Sequence, residues 1–243
     1  MRLVSPGWIA PEKKCDAEAR TTEMSAEPSK HAVTSRPMAL KHFRRLMRAA
    51  SEVLQARYGG HAALQISEET REEFERLIPE IPYVGGRRNP STELLINTAG
   101  ILSFHRVLKR HGVQGEEFAE VLQESTVTYM EGYPVWLRRL MGRIWMSRWL
   151  RRFMHGRARI SQQRRYDGEF VYEVVPEDGA YEWGIDYLEC GILKFLQSLG
   201  ETELMDAMCE LDHIMFPALG VSLRRTQTLA QGCERCDFRF RRL

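Results

Sequence analysis

The chain has 243 residues, 43% of them apolar and 28% charged, with 35 Lys and Arg against 33 Asp and Glu for a formal net charge of +2. That balance belongs to globular chains with enough apolar material for one filled core, and it supplies no bulk charge for holding nucleic acid. Five cysteines without a secretory signal predict a reducing, cytoplasmic setting, where thiols serve as ligands, nucleophiles or core filler.

Residues 1–36 read as a disordered tail: Pro6, Pro11 and Pro28 interrupt it, and Trp8 and Cys15 stand in it without apolar company. The remainder, 37–243, reads as one domain with a helical part (37–165) and a mixed part (166–243). Pro37 opens a helix to Tyr58, with Leu40, Phe43, Leu46, Met47, Ala50 and Leu54 as its stripe, and Gly59-Gly60 stops it. A second helix is expected after Ser67, read as an N-cap before the acidic turn Glu68-Glu69, ending near Pro79. A loop leads to a third, Thr92 to His111, carrying Leu94, Leu95, Leu102, Val107 and Leu108, with His105 among them as a core histidine. A fourth follows from Glu116 to Met130, with Phe118, Val121 and Leu122 inward.

From Tyr133 to Arg165 there are ten arginines and no acidic residue, interleaved with Trp136, Trp145 and Trp149. At about 100° per residue the apolar side swings by half a turn after Ile144, so two helical pieces are expected with a break between Gly142 and Ser147. Arginines interrupt every window long enough to span a bilayer. The segment reads as a packed helix with a solvated basic face, a contact in a homo-oligomer, or a surface for an anionic ligand or membrane.

Beyond Gly168 the period changes. Phe170, Tyr172 and Val174 alternate as a strand, and Tyr181 to Asp186 continues extended into a helix carrying Cys190, with Ile192, Leu193, Phe195 and Leu196 buried. Thr202 to Phe216 reads as one helix, with Leu204, Met205, Met208, Leu211 and Met215 on its apolar face. Asp212 falls inside that arc, Cys209 at its border, and His213 toward solvent. A strand through Thr226, Thr228 and Ala230 bends at Gly232 into a last strand, where Cys236, Phe238 and Phe240 share one face and Asp237, Arg239 and Arg241 the other. The whole reads as α+β: an N-terminal helical region packed with a small C-terminal antiparallel sheet and helices.

The series Asp186-x-x-x-Cys190, Cys209-x-x-Asp212, Arg225-Thr-Gln-Thr228 and Gly232-x-x-x-Cys236-Asp237-Phe238 resembles the L-2-amino-thiazoline-4-carboxylic acid hydrolase family. A weaker likeness is to four-vinyl-reductase-type ligand-binding domains, which also end in Gly-x-x-x-Cys and can hold zinc, although Thr228 stands where they carry a cysteine. The first resemblance implies a hydrolase opening a small cyclic C–N or C–S substrate; the second implies a small-molecule-binding module with structural zinc and no turnover. An inward Asp212 suits a general base or acid if burial raises its pKa. Cys190, Cys209 and Cys236 suit a nucleophile, a zinc-binding set, or simple packing. Thr226, Thr228 and Asp237 are candidates for holding a small-molecule substrate. Cys233 with Cys236 forms a lone Cys-x-x-Cys pair, a weak signal on its own.

Overall fold

The computed structural model describes residues 36–243, so the tail with Trp8 and Cys15 lies outside the described residues. Helices α1 (Arg36–Tyr58), α2 (Gly60–Leu77), α3 (Ser91–Arg110) and α4 (Gly115–Glu131) form a bundle, with α1 packed on the other three and α2 on α3. Its core holds Phe43, Leu54, Phe74, Leu95, Leu102 and Phe118, and Phe43 stacks on Phe74 with centroids 4.4 Å apart. Two details differ from the sequence reading. The second helix starts at Gly60 rather than after Ser67, because Gly59 takes up the left-handed turn alone (φ 81°) and Ala63, Ile66, Phe74 and Leu77 keep helical spacing across Ser67. Leu94 faces solvent, while its neighbour Leu95 is fully buried.

The basic segment is two helices, α5 (Val135–Trp145) and α6 (Arg148–Ser161), broken where expected. Met146 plugs the core at the break, and the Ser147 hydroxyl caps α6 by accepting from the Leu150 amide at 3.2 Å.

Four antiparallel strands follow the order β1 (Val171–Val175), β2 (Trp183–Glu189), β4 (Cys236–Arg242), β3 (Val221–Arg224). The register pairs Trp183 with Phe240, Ile185 with Phe238 and Tyr187 with Cys236, which puts all six side chains on the face toward the helices. Trp145 of α5 and Phe216, in the helix Asp212–Leu219, close over Trp183 and Phe240, with ring centroids 4.9 to 5.6 Å apart. The opposite face carries Asp186 and Asp237, and Arg239 donates to Asp186 at 2.6 Å. The α+β architecture is as the sequence predicts.

Three local expectations near the sheet are corrected. Cys190 sits at the end of β2, as the N-cap of α7 (Gly191–Ser198), and not inside a helix. The segment 202–216 is not one helix: a single 3-10 turn (Thr202–Leu204) leads into α8 (Met205–Glu210), and α9 (Asp212–Leu219) begins after a turn at Leu211. The cause is Arg225, whose guanidinium takes the Cys209 carbonyl at 3.1 Å, the acceptor that a continuous helix would offer to the His213 amide. Met215 is exposed, and His213 turns toward Arg225 instead of solvent, its Nε2 at 3.5 Å from the guanidinium. Finally, Thr226 to Ala230 is no strand. The Asp237 carboxylate accepts from the amides of Thr226 (2.7 Å) and Gln227 (2.9 Å), so these donors are withheld from any ladder, and a 3-10 turn (Leu229–Gln231) follows.

Candidate active site

The ends of five elements converge on one recess. Tyr187 and Cys190 come from the end of β2, Cys209 from α8, Asp212 from the start of α9, Arg225 from the segment after β3, and Cys236 from the start of β4. Titration of Tyr187, Cys190 and Cys236 responds to the Asp212 charge, and that of Cys190 to Cys209, which groups these side chains around one point. Protein encloses Tyr187, Cys190 and Asp212, yet each keeps accessible surface, as expected for the lining of an indentation. Two surface hollows, one beside Phe43 and Glu75 and one beside Tyr181 and Arg242, lie elsewhere and contain none of these groups.

Close backbone approach sets the position of Cys190. A Cβ on Gly191 would stand 2.4 Å from the Gly168 carbonyl oxygen and 2.8 Å from the Phe170 ring, so only glycine lets the strand turn directly into α7 here. The first amides of α7, at Ile192 and Leu193, pull the Cys190 thiol toward ionisation, as helix N-termini do. Burial outweighs them and pushes this thiol up to about 12. Burial also pushes Cys236 up to about 12, against the pull of the Leu229 amide, which donates to its sulfur at 3.1 Å. Both thiols are therefore neutral at physiological pH. Burial likewise raises the Tyr187 phenol far above its ordinary value, with Tyr172, Asp212 and the two thiols adding to the effect.

Asp212 has the opposite kind of poise. Burial raises its carboxyl from 3.8 to about 6, and the Arg225 guanidinium beside it limits the rise. Arg225 donates to Asp212 Oδ2 at 3.1 Å and lies 5.4 Å over the Phe238 ring, with its side chain 1% exposed against 32% for Asp212. His213 Nε2 stands 3.5 Å from the same guanidinium. Arg225 thus fixes the carboxylate, the imidazole and the α8–α9 break together.

The remaining sequence candidates are engaged in holding this arrangement. Thr226 donates its hydroxyl to Asp237 Oδ2 at 2.6 Å, and the buried Thr228 hydroxyl accepts from the Gln231 amide at 3.2 Å. Sequence reasoning quoted Arg225 as part of a motif but gave it no role, and it did not single out Tyr187. An arginine just past a strand reads as solvent-exposed, and its place directly before Thr226-Gln227-Thr228 is the one available signal. As for metal, the tight group of ligating donors among the described residues is His105, Glu201 and Glu203, with donor atoms within 4.8 Å of one another. Arg106 and Lys109 already hold those two carboxylates, at 2.8 and 2.7 Å. Among the described residues the three thiols of the recess do not close into such a group.

The sequence profile described as L-2-amino-thiazoline-4-carboxylic acid hydrolase matches residues 96–240, well over half of the chain. The chain belongs to this family. The match runs from α3 through β4 and so contains every residue of the recess. No curated protein and no solved structure matches the chain.

Proposed function

We propose that this member of the L-2-amino-thiazoline-4-carboxylic acid hydrolase family is a hydrolase that opens a small cyclic amidine thioether, with Asp212 as the group that moves the proton. The observation that carries this reading is the half-buried Asp212 carboxyl, raised to about 6 and locked by the buried Arg225. At neutral pH it is largely ionised and accepts a proton from water as the water oxygen adds to the amidine carbon. The electron pair of the carbon–nitrogen double bond moves onto the ring nitrogen, which takes the proton of the added hydroxyl; the carbonyl then forms as the carbon–sulfur bond breaks with its electron pair on sulfur. The protonated carboxyl returns the proton there, leaving a ureido group and a free thiol. A carboxyl near 6 is strong enough as an acid for this return, since a released thiol has a pKa of about 8.5.

Cys190 and Cys236, held at about 12, are poor sources of a thiolate and poor proton donors to the leaving sulfur. In this reading they wall the recess as neutral, polarisable surface beside the substrate ring. Tyr187, protonated at every working pH, donates a hydrogen bond to the charge that develops at the amidine.

The test is to supply L-2-amino-thiazoline-4-carboxylate to the purified protein and follow free thiol. The wild-type chain is expected to release thiol, and Asp212→Asn to lose at least about 100-fold in rate. Cys190→Ala and Cys236→Ala are expected to lose less than about tenfold, whereas removal of a covalent nucleophile costs on the order of 10,000-fold or more. Cysteine variants as dead as Asp212→Asn would replace water with a thiol as the attacking group. A wild-type chain that binds the compound and releases no thiol would be the binding module.

A further inference from the structure

Large exposed apolar side chains are concentrated on α5 and α6: Val135, Trp136, Leu140, Met141, Ile144, Trp149, Phe153 and Ile160. Trp136 and Trp149 are 68% and 69% exposed, and Trp149 stacks in the open on Phe153, with centroids 5.9 Å apart. Scattered apolar residues are ordinary on a surface, but a run of this size on two successive helices is a contact surface. It is also basic: Arg139, Arg143, Arg148, Arg152 and Arg159 are exposed on the same two helices, and residues 133–165 include no carboxylate.

The two kinds of side chain are sorted. Along α6, Trp149, Phe153, Gly156 and Ile160 fall in one outward stripe, and Arg148, Arg152, His155 and Arg159 fall in the stripe beside it. Along α5, Trp136, Leu140 and Ile144 form the apolar stripe, with Arg139 and Arg143 flanking it. The inward sides are already occupied. Gly142 lies against the Leu219 carbonyl of α9, and the end of α6 meets β1 where the Ser161 hydroxyl accepts from the Tyr172 amide at 3.2 Å.

We propose that α5 and α6 form a docking surface for an anionic lipid bilayer, lying in its interface with tryptophans and aliphatic side chains among the acyl chains and arginines on the headgroup phosphates. The sorting into parallel apolar and basic stripes is the pattern of an interfacial helix. No helix of the described residues is long and apolar enough to cross a membrane, and the stripes suit a contact at the interface. Charge complementarity selects the occupant. A second copy of the chain would set arginine stripe against arginine stripe with no carboxylate in the segment to neutralise them. A nucleic acid would answer the arginines and stack on the tryptophans, but it gives Val135, Leu140, Ile144 and Ile160 nothing to bury against.

The experiment is co-sedimentation of the full chain with phosphatidylcholine vesicles and with vesicles in which part of that lipid is replaced by phosphatidylserine. Single-stranded DNA and the protein's own sedimentation in solution serve as competing readouts. Binding to the phosphatidylserine vesicles is expected, weakening as salt rises and falling at least about tenfold on plain phosphatidylcholine. The triple charge reversal Arg148→Glu, Arg152→Glu, Arg159→Glu should reduce it on the order of 100-fold, and Trp149→Ala with Phe153→Ala by roughly tenfold. These side chains are exposed, so helical content and melting temperature should match wild type, and a variant that misfolds is replaced by Trp136→Ala with Leu140→Ala on α5. Vesicle binding indifferent to headgroup charge or to both sets of substitutions overturns the proposal. So does tighter binding to DNA, or self-association that the substitutions abolish while vesicles stay unbound. Thiol release plays no part in these readouts, so failure here and failure of the hydrolase reading are distinguishable.

Discussion

At the scale of the residue, Asp212 is held between opposing influences that separate substitutions can remove. Burial raises its carboxyl and Glu210 adds to the rise, while Arg225 opposes both. If Asp212 is the base, thiol release should climb with pH along a limb centred near 6, because only the ionised carboxylate accepts a proton. Glu210→Gln removes a like charge and should move that limb to lower pH; Arg225→Gln removes the opposing charge and should move it to higher pH. Glu210 is half exposed, so its substitution leaves the fold intact. Arg225 is buried, and its loss leaves Asp212 without its partner, a change worth about 3–5 kcal/mol in a buried pair. The profile of that variant is therefore read only at temperatures where circular dichroism reports a folded chain. Limbs that move together, or a limb that stays put in both variants, would assign the titration to another group.

At the scale of the element, helix α9 places Asp212, and its position depends on contact with α5. A Cβ on Gly142 would lie 2.1 Å from the Leu219 carbonyl oxygen, a backbone atom that cannot step aside. Gly142→Ala should force the two helices apart, costing about 1–3 kcal/mol of stability in a denaturant titration and lowering turnover through the displaced N-terminus of α9. The same element marks the limit of what the sequence reveals. The inward side of β4 was legible because Cys236, Phe238 and Phe240 repeat with period two, and Asp212 because it interrupts an apolar arc. The break at Leu211 was not, since its cause is a hydrogen bond from Arg225, 16 residues away, to the Cys209 carbonyl. The strand expected at Thr226 to Ala230 failed for a similar reason: the Asp237 carboxylate captures amides 10 and 11 residues back, and residue spacing carries no record of such side-chain captures. Cys190 was read into a helix because nothing local distinguishes an N-cap cysteine from one in the first turn.

At the scale of the whole molecule, the bundle and the site are joined through α3, which packs on α7, and α4, which packs on α9. His105 on α3 tests whether the joined parts unfold as one. It is 5% exposed and its ring meets Phe118 edge-on at 4.6 Å; burial, the largest influence, lowers its pKa below 6.5. Glu201 and Glu203 face it and work against the lowering, while Arg106 and Lys109 add to it. A histidine lowered in the folded state leaves stability intact above the unfolded value of about 6.5, and stability falls as pH drops below it, because the unfolded chain takes up a proton the native chain resists. His105→Gln removes that proton, so the loss of stability between pH 7 and 5 should be shallower in the variant than in wild type. The carboxylates common to both chains cancel in the comparison. If 37–243 is one cooperative domain, far-UV circular dichroism, dominated by the bundle, and fluorescence of Trp183 in β2 and of Trp145 packed over it should give coincident unfolding curves, and the His105 effect should appear equally in both. A bundle signal that shifts with His105 while the tryptophan signal does not would divide the chain into two folding units, and would uncouple the recess from the helices that carry it.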